Sequence, residues 1–274
     1  MLNTIKMDLY RMIKSKALLV TIIIAAFSVF LNVATAKFQL SNPEFQKLMQ
    51  EAMEESGDVN VGIQAGNVGL ITETTPTENI FASSFVGGTF LLMGAIFIII
   101  FVCKEHNEGF IKNVVSRKGY RRQMSASKAI ITVAYTLIQF VACSIIFLIV
   151  YGVLFQGFQF KSVVNLLRYT AVQALIQIVI MNLCVLFSNL VRNMAISITF
   201  GVLLSSGLFS LVTVLIDHLE LPFRTTDYLL TIIMNQLPVV YDSSIYQRAL
   251  AVSLIGVVVY QSASLLVMKK QDVR

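Results

Sequence analysis

The residue types that most often carry out chemistry are sparse in this sequence. Its 274 residues include two histidines, His106 and His218, and three cysteines, Cys103, Cys143 and Cys184. An odd number of cysteines without paired spacing predicts neither a disulfide framework nor a zinc site. The sequence also lacks the G-x-x-x-x-G-K-[ST] loop that cradles nucleotide phosphates. We therefore expect a chain that is not an enzyme and that binds no cofactor or metal of its own.

The charged residues avoid six long apolar segments. Asp, Glu, Lys and Arg make up 13% of the chain, about half their usual share in a soluble domain, and hydrophobic residues make up 56%. None of the charged residues falls in residues 17–36, 84–103, 129–155, 169–188, 194–216 or 249–268. Each segment reaches the roughly 20 residues that a helix needs to cross a bilayer, where an open strand would find no hydrogen-bond partners. We predict an all-α membrane protein, with residues 1–274 forming one transmembrane domain of six spans.

The basic residues predict how the spans are oriented. With the N-terminus inside, 15 of the 21 Lys and Arg residues fall on the inner side. The positive-inside rule then places both termini in the cytoplasm and residues 37–83 in an extracellular loop. The net charge of +6 is explained by orientation and by anionic lipid, so we expect no nucleic-acid partner.

The start of the chain also permits a signal peptide, because residues 34–36 read Ala-Thr-Ala after an apolar run. That run is 20 residues long, which suits a span better. Residues 1–16 before it carry a basic amphipathic pattern, with an apolar face formed by Ile5, Leu9, Met12 and Ile13. The pattern favours a short helix in the inner interface over a simple basic anchor.

Two outer loops contain short apolar patterns of their own. Residues 43–57, in the long acidic first loop, predict an amphipathic helix that packs on the spans, rests on the outer leaflet, covers a vestibule or meets cargo. Residues 229–234, before the last span, are apolar but too short to cross the membrane. Together with residues 217–222 they predict a pair of short re-entrant or interfacial helices between the fifth and sixth spans.

The inner loop between the second and third spans, residues 104–128, has an apolar ridge inside a basic surround. The ridge consists of Phe110, Ile111, Val114 and Val115. Such a ridge can dock in a groove on a soluble partner, and the alternative is a solvated basic loop held to lipid.

The same loop carries a family resemblance. Glu105 or Glu108, followed by Gly109-Phe110-Ile111-Lys112, then Ser116-Arg117, then Lys128 at the start of the third span, resembles the permease subunits of type 2 ATP-binding-cassette (ABC) exporters. Those permeases have six spans, cytoplasmic termini, an amphipathic helix before the first span, a coupling helix between spans two and three, and short outer helices before the last span. In size and loop style the chain is most similar to small permeases of Gram-positive bacteria that export lantibiotics, bacitracin or phenol-soluble modulins.

The resemblance implies a mechanism and partners. It implies a bacterial plasma-membrane exporter whose two separate ATPase subunits bind ATP and magnesium, and a second permease chain that is identical or related. The cargo would be an amphipathic peptide, toxin or antimicrobial, or a lipid-like molecule. The residues that would couple the permease to the ATPase are Glu108, Gly109, Phe110, Ile111, Val114, Val115 and Arg117.

Small and polar residues inside the spans suggest two further roles. Ser197, Gly201 and Ser205 recur every four residues and predict a face for close helix packing. The resemblance places the first and fifth spans at the contact between two permease chains, so we expect these residues in a dimer interface. Gln173 and Gln177 lie one turn apart on the fourth span, where they line a cargo pathway or hydrogen-bond to other helices.

Two other classes of function compete with export. A peptide-sensing or immunity protein would bind peptide through the acidic outer loop without moving it. A secondary transporter would need an ion or proton relay, which the uncharged spans do not favour.

Overall fold

The structure, a computed structural model, describes residues 2–42, 44, 75–86, 88–107, 120–155, 157–158, 160–208, 216 and 228–270. All the regular elements within these residues are α-helices. In chain order they are α1 (Leu2–Ile13), α2 (Lys16–Ser41), α3 (Thr77–Phe85), α4 (Gly88–Asn107), α5 (Tyr120–Phe155), α6 (Val163–Val191), α7 (Met194–Ser205), α8 (Leu230–Gln236) and α9 (Ser243–Lys270).

Five of these helices, α2, α4, α5, α6 and α9, are long and apolar enough to cross a membrane. Four of them contain the predicted first, third, fourth and sixth spans, and α4 covers residues 88–103 of the predicted second span, 84–103. These helices confirm a multi-pass helical membrane protein. The predicted fifth span, 194–216, begins as α7, an apolar helix of 12 residues. Most of the remainder of that span lies outside the described residues. That the fifth span crosses the membrane, which would bring the total to six, therefore stays a prediction.

The helices extend beyond the uncharged segments, and one segment is divided. α2 continues to Ser41, five residues beyond the predicted end of the first span. The chain between residues 76 and 107 forms two helices, with Pro76 as the N-cap of α3 and Val86 as its C-cap. Glycines stand at positions 87 and 88, and glycine is costly in a helix interior. Residues 77–83 belong to α3 and residues 37–41 belong to α2, so both ends of the predicted loop 37–83 are helical.

The short helix α3 is attached to its neighbours by buried polar contacts. The hydroxyls of Ser83 and Ser84 both donate to Asn32 Oδ1 of α2, at 3.2 Å. The Thr77 hydroxyl donates to Tyr151 Oη of α5 over 3.1 Å, and the Glu78 carboxylate accepts from the Ser162 amide. These bonds position α3 at the ends of α2, α5 and α6.

The long helices pack around α4, the most enclosed of the five, while α9 is the least enclosed. α4 contacts α2, α6 and α7; α9 lies along α6 and α5; α2 lies along α5. A large share of the outward residues on α2, α5 and α9 are exposed apolar side chains, which a bilayer would cover.

The Ser244 amide and hydroxyl donate to Asp242 at the start of α9, and these hydrogen bonds lower the pKa of that carboxyl.

The turn between α6 and α7 is short because two residues satisfy both helix ends. Arg192 takes a left-handed conformation, with φ of 55°, and its amide donates to Ser188 O. Asn193 follows as the N-cap of α7, and its Oδ1 accepts from the amides of Ala195 and Ile196. This pattern of a left-handed C-cap followed by an Asn N-cap reverses the chain in two residues.

Candidate functional site

The N-terminal helix α1 is docked on the bundle through a polar stripe. Thr4, Asp8 and Met12, at successive i to i+4 positions, are its buried residues, whereas Ile13 is 65% exposed. The sequence prediction of a helix is confirmed, but the face predicted from Ile5, Leu9, Met12 and Ile13 is wrong in part. Helix α1 turns a carboxylate toward α5 because that carboxylate finds partners there.

Asp8 and its partners form a cluster of four charged side chains, here called the charge cluster: Asp8 and Arg11 of α1, Glu105 of α4 and Lys128 of α5. Three of the four are buried, and Arg11 is 26% exposed. Arg11 Nη1 lies 2.8 Å from Glu105 Oε1 and 3.6 Å from Asp8 Oδ1. Lys128 Nζ contacts Glu105 Oε2 and lies 3.8 Å from Asp8 Oδ2. The side chains of Asp8, Glu105 and Lys128 are at most 2% exposed.

Two carboxylates and two cations make the charge cluster formally neutral, and further contacts complete it. The Ser127 hydroxyl donates to Asp8 Oδ2 over 2.5 Å. The ring of Phe101 faces both cations, with Arg11 Cζ at 5.6 Å and Lys128 Nζ at 4.9 Å from its centroid. Buried ions require this completeness, because removing one partner typically costs about 3–5 kcal/mol.

The charge cluster lies at both ends of the predicted coupling segment. Glu105 is two residues before the end of α4, and Lys128 lies in the third turn of α5. The segment between these helices, residues 108–119, contains Glu108, Gly109, Phe110, Ile111, Val114, Val115 and Arg117 and lies outside the described residues. The structure therefore describes the base of this segment, where α1, α4 and α5 meet.

Sequence reasoning found half of this cluster. Glu105 and Lys128 were part of the motif that carried the family resemblance, whereas Asp8 and Arg11 were not singled out. The available signal was Asp8 itself, the one acidic residue among the first 16, with Arg11 three positions later on the same helical face. An acidic side chain on the buried face of a helix needs a basic partner. Lys128, immediately before the third span, is the candidate for that partner.

Polar contacts extend from the C-terminal end of α4 to the remaining long helices. His106 Nε2 and Asn189 Oδ1 are 3.2 Å apart, and Asn189 Nδ2 donates to Ser264 Oγ over 3.1 Å. Gln261 Nε2 donates to the Ser125 carbonyl, over 2.9 Å, joining α9 to the start of α5. The same end of the bundle thus connects α4, α5, α6 and α9.

The predicted pathway residues hydrogen-bond between helices. Gln177 Nε2 donates to Gln139 Oε1 over 2.8 Å, and Gln139 Nε2 donates to the Phe90 carbonyl over 3.0 Å. Gln173 Nε2 donates to the Met234 carbonyl of α8 over 3.2 Å. Gln173 and Gln177 are 1% and 2% exposed. Of the two uses that the sequence left open, the structure shows interhelical bonding.

The small residues of α7 face the interior of the same chain. Ser197 is fully buried, and Ser205 is 6% exposed. A Cβ built on Gly201 would lie 2.9 Å from Ile99 Cδ1 and 3.5 Å from Ala95 Cβ, both on α4. The predicted close packing is present, but its partner is α4, so we no longer assign this face to a contact between two chains.

The structure describes one of the short helices that were predicted in the outer loops. Helix α8 overlaps the predicted apolar patch at residues 230–234 and is buried through Leu230, Thr231, Ile233 and Met234 against α6 and α9. Its predicted companion in residues 217–222, and the amphipathic helix in residues 43–57, lie outside the described residues.

One family model matches the sequence. It is the model described as "Protein of unknown function (DUF2705)", and it matches residues 62–274, more than three quarters of the chain. The match includes Glu105 and Lys128 of the charge cluster and begins after α1 and α2. No curated protein matches the chain.

Proposed function

The chain belongs to the DUF2705 family, and we propose that it is the membrane-spanning permease subunit of an ATP-driven exporter. In this proposal a separate ATPase binds the inner segment 108–119, and the cargo is an amphipathic peptide or a lipid-like molecule. The observation that carries the proposal is the buried charge cluster at the base of that segment.

The charge cluster supports the proposal because it makes three helices respond together. A force applied to residues 108–119 acts on the end of α4 and the start of α5. Separating Glu105 from Lys128, or either from α1, leaves a buried charge without its partner, at a cost of several kcal/mol. Movement of the three helices as one unit avoids this cost.

The polar contacts beside the cluster extend this unit across the bundle. Asn189 and Ser264 tie the end of α4 to α6 and α9, and Gln261 ties α9 to α5. A displacement at the inner segment therefore has a continuous set of buried contacts through which to change the packing of the long helices. Networks of buried hydrogen bonds of this kind can carry energetic coupling between distant parts of a protein.

The proposed assembly contains two permease chains and two ATPase chains. ATP and magnesium bind the ATPases, and this chain forms and breaks no covalent bond. The contact between permease chains involves a surface other than the buried face of Ser197, Gly201 and Ser205. The exposed apolar sides of α2 and α7 are the candidates, because α7 presents Ile196 and Leu203 to the outside.

The test is purification of the tagged chain from its native membranes, followed by reconstitution in liposomes with the protein that accompanies it. We expect a P-loop ATPase in the complex, whose hydrolysis rises when cationic amphipathic peptides are added. Liposomes with the ATPase alone are the control. A complex without any ATPase would contradict the proposal. So would a rate of ATP hydrolysis that neither peptides nor lipid-like compounds change.

A further inference from the structure

Helix α1 presents opposite faces to the bundle and to its surroundings. Asp8 is buried in the charge cluster, whereas Lys6 is exposed and Tyr10 is 60% exposed. Residues two positions apart on an α-helix are turned by about 200°, so Lys6 and Tyr10 both point away from Asp8. The Lys14 amide donates to the Tyr10 carbonyl over 3.1 Å, which continues the helical turn beyond Ile13. Lys6, Tyr10 and Lys14 therefore form one exposed stripe.

The charges on this stripe are not neutralised within the described chain. Asp8 is the one acidic residue among residues 1–16, and the charge cluster holds it. In the part of the chain that the structure describes, no carboxylate lies within ion-pair distance of Lys6, Lys14 or Lys16. Lys14 Nζ lies 4.9 Å from the centroid of the Tyr10 ring, a contact that leaves its charge in place. Lys6, Tyr10, Lys14 and Lys16 are here called the basic surface.

The basic surface lies at the edge of the apolar part of the bundle. Lys16 is exposed and is the last charged residue before the uncharged segment 17–36 of α2. Leu19 and Ile23 follow it by three and seven residues, on the same side of the helix, and are 62% and 57% exposed. This side of α2 faces the hydrocarbon core of a bilayer. Lys16 therefore lies at the level of the head groups, which a lysine side chain reaches readily.

Exposed apolar atoms accompany these cations. Ile13 is 65% exposed and directly precedes Lys14, and the ring of Tyr10 is exposed nearby. Tyrosine is enriched where a membrane meets water, and basic residues at that level attract anionic lipids. Unpaired lysines and uncovered apolar groups on one side of α1 therefore match the head-group region of a bilayer better than they match water.

From these observations we infer that the basic surface binds the head groups of anionic phospholipids. The three ammonium groups donate to phosphate oxygens of the lipids, while Tyr10 and Ile13 contact the first carbons of the acyl chains. The charge cluster determines this assignment, because it fixes which side of α1 faces outward. The inference concerns lipid binding alone and holds for an exporter and for a sensor alike.

The absence of tryptophan from the sequence allows a fluorescence test. Leu19→Trp places one reporter on the lipid-facing side of α2, three residues beyond Lys16. The purified full chain is reconstituted in mixtures of phosphatidylglycerol and phosphatidylcholine, in which one of the two lipids carries bromine on its acyl chains. Bromine quenches tryptophan on contact, so the two quenching series give the preference for the anionic lipid at this position. We expect a preference of about fivefold or more, because each basic residue near an anionic surface contributes about fivefold.

Three variants locate the preference. Val141→Trp, at a 58% exposed position in the middle of α5, should report a preference of about one. In the Leu19→Trp background, the combined substitutions Lys6→Gln, Lys14→Gln and Lys16→Gln should also bring the preference to about one. Lys161→Gln removes an exposed lysine before α6, at the opposite end of the bundle, and should leave the preference unchanged.

Salt provides a second measurement that needs no lysine substitution. Raising the ionic strength from about 0.1 M to about 0.5 M shortens the Debye length and should at least halve the preference. A preference of about one in the Leu19→Trp chain, or a preference that survives the triple glutamine variant, would overturn the inference. If the preference is about one and the triple variant also loses a protein that co-purifies with the chain, the basic surface faces an acidic protein instead.

Discussion

Asp8 and Lys128 show how a few buried charges can organise one end of a membrane protein. Each is 2% exposed, yet each lies beside an opposite charge from another helix. Such a cluster adds little net stability compared with apolar residues of equal volume, but it strongly penalises arrangements that separate its members. At this site, the penalty selects one way of docking α1 on α4 and α5.

Removing one cation from the cluster should destabilise the fold. Lys128→Met leaves Asp8 and Glu105 with one cation, Arg11, between them, and we expect a loss of about 3–5 kcal/mol in the free energy of unfolding. Lys16→Met removes an exposed cation at the start of α2 and should change the free energy of unfolding by less than about 0.5 kcal/mol. Denaturant unfolding in detergent measures both. Equal stability of the two variants would show that the cluster is not an energetic unit.

The glutamine pair has a similar test. Gln139 and Gln177 should show a coupling energy of about 0.6–2 kcal/mol in a double-mutant cycle with leucine at each position, because their hydrogen bond is buried between two helices. If Gln177→Leu instead leaves stability unchanged and impairs export, the residue belongs to a cargo pathway after all.

At the scale of elements, the sequence predicted the long helices well because charge and hydropathy mark them directly. Its errors came from information that single segments do not carry. The break between α3 and α4 depends on two glycines inside an apolar run, and the buried face of α1 depends on Glu105 and Lys128, about 100 residues away. The partner of the small-residue face was also a tertiary question, since a stripe of small residues packs equally well on a helix of its own chain or on a helix of another chain.

The packing of α7 on α4 makes Gly201 a position of low tolerance. Gly201→Leu pushes a branched side chain toward Ile99 and Ala95, and we expect it to cost about 1–3 kcal/mol. Light scattering of the still-folded protein should show the same oligomeric mass as wild type. Gly157→Leu is the control, because a Cβ there meets nothing within 4 Å. If the Gly201→Leu variant has normal stability but a smaller oligomeric mass than wild type, Gly201 lies in the contact between two chains after all.

At the scale of the whole molecule, the central question is which side of the membrane the charge cluster occupies. The distribution of Lys and Arg predicts the cytoplasm. In a cysteine-free background, a cysteine at position 60 should react with an impermeant reagent in intact cells. One at position 118 should react only after permeabilisation. The opposite pattern would place the cluster outside, where no ATPase can reach it.

Whether the chain binds a P-loop ATPase is tested most directly by purifying the tagged chain from native membranes. The ATPase recovered with wild type is compared with that recovered with two variants. Phe110→Asp places a charge on the predicted apolar ridge, and losing one such buried side chain weakens docking roughly tenfold or more. Lys112→Ala removes a neighbouring exposed charge, which is individually weak. If the chain is an exporter permease, the ATPase should accompany wild type and Lys112→Ala. It should be lost from Phe110→Asp, or stay bound with its hydrolysis uncoupled from transport. Binding, hydrolysis and transport that all survive Phe110→Asp would contradict the proposed function.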